Sequence, residues 1–73
     1  MDEFLEVLKS FFNEGRRRVS LQEVFTRYKR LYGSTSWGKF KHLVINAEKE
    51  GYWVREDILF RFVAEKFHIS LKT

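Results

Sequence analysis

Two helices with clearly marked ends, separated by a very short connection, constrain the fold of this chain more than any other feature. Ser20-Leu21-Gln22-Glu23 is a capping box, in which the serine hydroxyl and the glutamate carboxylate each accept a hydrogen bond from the other residue's backbone N–H. Apolar residues then recur at helical spacing as far as Tyr32, and Gly33 is a typical left-handed helix stop. The pattern predicts a helix over 20–32, with only three or four residues before the next one.

A further helix is predicted over 36–50. Ser34-Thr35-Ser36 supplies candidate N-caps, and Gly51 supplies a stop. Its apolar residues recur at helical spacing and predict the face that joins the core: Trp37, Phe40, Leu43, Val44 and Ala47. Two helices joined by so short a turn cross at a steep angle, as in a helix-turn-helix.

The N-terminal part of the chain predicts one more helix, over 2–14. Phe4, Leu5, Leu8, Phe11 and Phe12 form a single apolar stripe when they are placed on a helix, and Gly15 follows as a stop. The segment 16–19 is too short for a helix, so it is predicted as a brief strand that leads into the capping box.

After Gly51 the residue types change to those typical of strands, and a β-hairpin is predicted over 52–63 with Glu56 and Asp57 at its turn. The alternative is a helix from Ile58 to Phe67 capped by Asp57. The remaining tail, 64–73, is expected to fray from His68 onward. Its apolar residues, Phe67 among them, would otherwise pack on the first helix or form a dimer contact.

Composition narrows the class of protein. The chain has 73 residues, enough for one small domain, and its eight Phe, three Tyr and two Trp can build a dense core. Cysteine is absent and no apolar run is long enough to cross a bilayer, so a soluble, cytoplasmic protein is expected. No phosphate loop, nucleophile motif or metal-ligand spacing occurs. We therefore expect no enzyme, no cofactor and no small-molecule substrate.

Positive charge is concentrated in the middle of the chain. The net charge is +4, but residues 15–49 carry nine Lys or Arg against two Glu, whereas the first fourteen residues are acidic overall. A concentration of this kind can bind a polyanion such as a nucleic acid.

The predicted order, helix, short strand, helix, tight turn, helix and hairpin, resembles the winged-helix family of helix-turn-helix DNA-binding domains. The resemblance runs from Phe4 to about Val63. It is carried by 20–32, 33–36, 36–50 and the stretch Glu50-Gly51-Tyr52-Trp53-Val54, which is similar to the junction between a recognition helix and its wing. It implies an α+β fold, a three-helix winged helix-turn-helix with a C-terminal β-hairpin wing in a single domain, 1–73. Small archaeal and archaeal-virus transcription regulators are similar.

The resemblance also implies a function, binding of double-stranded DNA by a homodimeric transcription regulator whose helix 36–50 enters the major groove. The exposed side of that helix would then face the bases with Thr35, Ser36, Lys39, His42, Asn46 and Lys49. Contacts from the backbone-binding surface or the wing would come from Arg16, Arg17, Arg18, Arg27, Arg30, Lys41, Arg55 and Arg61.

Other interpretations of the same residues stay open. The acidic hairpin turn departs from the basic wings that usually touch DNA. A protein-interaction module of a larger assembly, or an RNA-binding module, would have the same order of elements. Ile45, near the polar side of helix 36–50, could contact a thymine methyl group or cover a neighbouring element.

Overall fold

The computed structural model describes the backbone of residues 2–71 and the side chains of residues 3–67. Along the chain its elements are α1 (Asp2–Asn13), β1 (Arg18–Val19), α2 (Leu21–Tyr32), α3 (Trp37–Glu50), β2 (Trp53–Glu56), β3 (Leu59–Phe62) and a 3-10 helix (Ala64–Leu71). The predicted α+β layout of three helices with a hairpin is confirmed, and the alternative helix over 58–67 is wrong. Fraying is predicted from His68 onward, but the backbone continues in the 3-10 helix as far as Leu71; residues 72 and 73 lie outside the described residues.

The helix ends follow the capping residues. Ser20 Oγ accepts from the Glu23 N–H at 3.2 Å, and the Glu23 carboxylate accepts from the Ser20 N–H at 2.9 Å, so the capping box is formed. Ser36 caps α3 by accepting from the Lys39 N–H. Gly51 ends α3 in the left-handed conformation, with φ 87° and ψ 17°. Gly33 has φ 92° but an extended ψ of −177°, so the left-handed helical cap predicted there is wrong.

The sheet has three antiparallel strands in the order β1-β3-β2. Arg18 lies opposite Arg61 across β1 and β3, and Trp53 lies opposite Phe62 across β2 and β3. The predicted short strand at 16–19 is thus confirmed as β1, which makes β3 the central strand. Asp57 is the first residue of the two-residue hairpin loop between Glu56 and Leu59, and it has a positive φ of 61°, a conformation for which glycine is the usual residue.

The core lies between the helices and one face of the sheet. Phe60 and Phe62 alternate inward along β3 and are buried, together with Trp53 of β2. Phe4 of α1 contacts both α3 and the sheet: the centre of its ring lies 5.7 Å from that of Phe40 in α3 and 5.8 Å from that of Trp53 in β2. Each fully buried ring of this size stabilises the fold by about 1.5–3 kcal/mol relative to an exposed one.

Three of the apolar residues that recur at helical spacing in α2 and α3 are substantially exposed. Leu31 is 49% exposed, Tyr32 41% and Trp37 47%. All three lie at the turn between α2 and α3, at the edge of the domain. The Trp37 ring packs against the rings of Phe25 at 5.2 Å and Phe40 at 5.4 Å. The rest of the Trp37 side chain is open to solvent in the described part of the chain.

The C-terminal segment contributes Phe67 to the core. That side chain is 1% exposed. Its ring stacks on Phe12 of α1 at 5.0 Å and meets Phe62 edge-on at 5.5 Å. Packing of this segment on the first helix is therefore confirmed.

Candidate nucleic-acid interface

α3 has one buried side and one exposed side, divided as its sequence pattern predicts. Phe40, Val44 and Ala47 are buried. The candidate base-facing residues that are exposed are Ser36, Lys39, His42, Asn46 and Lys49, while Thr35 is half-buried at the turn. The arrangement offers amide, imidazole and ammonium groups on one helix surface, and these groups can donate to base edges or phosphates.

The cations of α3 have no ionic partners in the described part of the chain. Lys39, Lys41 and Lys49 form neither an ion pair nor a side-chain hydrogen bond with any residue there. Lys41, predicted among the backbone contacts, lies on α3 itself. Glu48 and Glu50 are the acidic residues of this helix, and both occur in its last turn. Earlier in the helix its exposed surface is therefore basic.

Two predicted contact residues on the sheet are instead joined by one carboxylate. Arg18 Nε donates to Glu56 Oε1 at 3.0 Å, and Arg61 Nε donates to Glu56 Oε2 at 2.6 Å. The hydrogen bonds from Arg61 and Arg18 hold the pKa of the Glu56 carboxyl below its usual value. These three residues lie on the outer face of the sheet, away from the buried face formed by Phe60 and Phe62.

The remaining wing residue and Arg17 lie against aromatic rings. The Arg55 guanidinium is 5.4 Å from the centre of the Phe60 ring, and that of Arg17 is 4.3 Å from the centre of the Phe12 ring. Both arginines are exposed and neither forms an ion pair with a described residue. Each can therefore still offer its charge to an outside anion.

The last three predicted arginines line a groove between the end of α1 and α2. Arg16 pairs with Glu23 at 2.8 Å and Arg27 pairs with Glu14 at 2.9 Å, whereas Arg30 has no ionic partner among the described residues. The predicted set of basic residues is thus divided among α3, the sheet and this groove, and does not form a single surface.

No protein-family model, curated protein or solved structure matches this chain. Within residues 2–71, no helix is long and apolar enough to cross a membrane. The same part of the chain contains no group of three or more His, Asp or Glu side chains that could hold a metal ion.

Two residues on the exposed side of α3 lie outside the predicted set of contact residues. Gly38 and Ile45 line a hollow of about 300 Å³ together with Lys41 and His42. A Cβ at Gly38 would meet nothing closer than Ser36 Oγ at 4.0 Å, so the backbone there is open to an approaching surface. Ile45 is 49% exposed, so about half of its surface is open to a partner. The i, i+3, i+4, i+7 spacing of these four residues could have identified the hollow.

Proposed function

We propose that this protein binds double-stranded DNA with the exposed side of α3 in the major groove, and that it acts as a winged-helix transcription regulator. The observation that carries the proposal is the contrast in charge pairing. Arg16, Arg18, Arg27 and Arg61 are matched to carboxylates within the protein, whereas the lysines of α3 are not. Unpaired cations on an exposed helix are available to an external polyanion.

The dimensions of α3 support this proposal. Its 14 residues extend about 21 Å, and a helix fits the width of a B-DNA major groove. Asn46 lies in mid-helix, where its amide can pair with adenine N6 and N7. Lys39 can donate to guanine O6 and N7, and the exposed Ile45 suits a thymine methyl group. Arg55 has the freedom to reach a flanking phosphate.

A pair of copies is part of the proposal. One helix makes only three or four base contacts, at about 1–3 kcal/mol each, which is little discrimination against the rest of a genome. Two copies on a pseudo-palindromic site would double the number of contacts. A regulator of this kind acts at the DNA, in the nucleoid of a prokaryotic cell or in the host cytoplasm if the source is a virus.

Salt dependence tests the interaction with phosphates. If about five basic side chains contact phosphates, the logarithm of the affinity for random duplex DNA falls with the logarithm of salt at a slope of about −4 to −5. Lys39→Gln should reduce that slope by about one, because Lys39 is on the proposed surface. Lys66→Gln removes the same charge from an exposed position outside α3 and should leave the slope unchanged.

Asn46→Ala tests base recognition. On a site obtained by selection from random duplexes, the change should cost about 1–3 kcal/mol and relax the preference at one base position, with weak binding to random DNA nearly intact. Arg17→Ala, away from α3, should weaken both kinds of binding alike. Equal losses on selected and random DNA for Asn46→Ala would show that α3 does not read bases.

Two other results would replace this function with a different one. Tight binding to structured RNA but not to duplex DNA of the same length would favour an RNA-binding module. Failure to bind either nucleic acid at low salt would favour a protein-interaction module, for which the half-exposed Leu31, Tyr32 and Trp37 are the first residues to substitute.

A further inference from the structure

A groove of about 410 Å³ opens between the end of α1 and α2, and the proposed DNA-binding surface does not include it. On α2, Phe25 faces α3, since its ring lies 4.7 Å from that of Phe40. Thr26, Arg27 and Arg30 follow at about 100°, 200° and 140° around the helix from Phe25, and all three line the groove. The groove is therefore on a side of α2 that α3 does not occupy.

Two arginines of the groove are held in fixed positions. The guanidinium of Arg27 lies 3.8 Å from the centre of the Phe11 ring, and that of Arg16 lies 5.7 Å from it. Arg27 also donates to Ser10 Oγ at 3.1 Å and to Glu14 at 2.9 Å, which leaves its side chain only 18% exposed. A ligand would meet positive groups that are already ordered, so little side-chain entropy is lost on binding.

The groove has more positive than negative charge. Three arginines line it against the carboxylate of Glu23, and Glu14 beside the groove pairs with Arg27, so the positive charge that stays uncompensated is that of Arg30. The Glu23 carboxylate is already satisfied, because Oε2 accepts from the Ser20 N–H and both oxygens lie close to Arg16 Nη2. The hydrogen bond from the Ser20 backbone, followed by the contacts with Arg16, lowers the pKa of Glu23. Arg30 has no partner for its charge among the described residues.

We propose that this groove is a binding site for a phosphate group. A phosphate presents several oxygens and at least one negative charge, and planar guanidinium groups pair with such oxygens in bidentate fashion. Arg16 and Arg27 lie beside the Phe11 ring, and Arg30 and Thr26 line the same groove from α2, so guanidinium groups and a hydroxyl are available to one ligand. The phosphate belongs either to a free phosphate compound or to a nucleic-acid backbone, and both sources have the same chemistry.

Titration of the full chain with inorganic phosphate, followed by NMR at constant ionic strength, tests the site. Saturable shifts are expected at the amides of Gln22, Thr26, Arg27 and Arg30 and at the arginine Nε groups. Arg30→Gln should weaken this binding about three- to tenfold. Lys29→Gln is the matched control, because it removes the same charge from the adjacent exposed residue, which does not line the groove. Equal effects of the two variants, or shifts spread over the lysines of α3, would overturn the proposal.

A second titration identifies the source of the phosphate. If a short duplex displaces inorganic phosphate from the groove, the natural ligand is a nucleic-acid backbone, and Arg30→Gln should also reduce the salt slope of DNA binding by about one. If phosphate stays bound while the duplex shifts only α3, the ligand is a free phosphate compound. If the protein binds no DNA, the titration with inorganic phosphate still tests the phosphate site. The proposal of a phosphate site and the proposal of DNA binding can therefore be refuted independently.

Discussion

Replacing Phe67 by alanine should bring this domain close to unfolding. The side chain is 1% exposed and contacts the rings of Phe12, Phe62 and Tyr52 at centroid distances of 5.0, 5.5 and 5.8 Å. Truncation of a phenylalanine buried in this way costs about 3–5 kcal/mol. At about 0.05–0.15 kcal/mol per residue, a chain of 73 residues has only about 4–11 kcal/mol of stability in total.

Urea denaturation followed by circular dichroism and by tryptophan fluorescence measures this effect. The buried Trp53, 6.1 Å from Phe62, reports on the core directly. Lys66→Ala is the control, since it changes the neighbouring exposed residue and should cost less than about 1 kcal/mol. Phe67→Leu, which keeps most of the apolar volume, should fall between the two. A loss below 1 kcal/mol for Phe67→Ala would refute the packing of the 3-10 segment against α1.

Three further predictions concern local features of the fold. Ser20→Ala should lower the free energy of unfolding by about 1 kcal/mol, and by more than Ser36→Ala does, because Ser20 belongs to a reciprocal capping box; urea denaturation of both variants is the comparison. Since the pKa values of Glu23 and Glu56 are lowered below 4.5 by folding, their stabilisation is complete above that pH and is lost as the pH falls through their folded-state values. Glu56→Gln should therefore flatten the decline in thermal midpoint between about pH 5 and pH 3, and an unchanged decline would contradict the pairing. Asp57→Gly should raise the thermal midpoint, because glycine adopts a positive φ without strain; a lower midpoint would contradict that turn geometry.

The helices could be predicted closely because their signals are local. The capping box at Ser20 and the left-handed stop at Gly51 act within one turn of the helix ends they define, so they can be recognised in the sequence alone. The hairpin was also predictable from residue types, although its turn lacks the usual glycine. Asp57 has the positive φ there instead.

Features that depend on distant partners could not be predicted. The pairing of β1 with β3 joins Arg18 to Arg61, and a two-residue strand has too little pattern to indicate its neighbour. The burial of Phe67 depends on the position of α1, and the exposure of Trp37 depends on whether another element packs over its ring. In the candidate site, the exposed side of α3 was predictable from helical periodicity. The distribution of the arginines could not be predicted. Some lie in the groove, some on the sheet and some against aromatic rings, and each ion pair joins residues that come together only on folding.

Because the carboxylate of Glu56 pairs with two arginines, which substitutions are tolerated at each of these three positions depends on the other two. Arg18 and Arg61 lie directly opposite each other on neighbouring strands, an arrangement of like charges that is unfavourable without an anion between them. Glu56 could not simply be replaced by lysine, because that change would leave three cations side by side on the sheet. Substitutions at 18, 56 and 61 should therefore occur together in related sequences, whereas Ile58 at the turn, which is 81% exposed and has no positive φ, is free to become basic by itself.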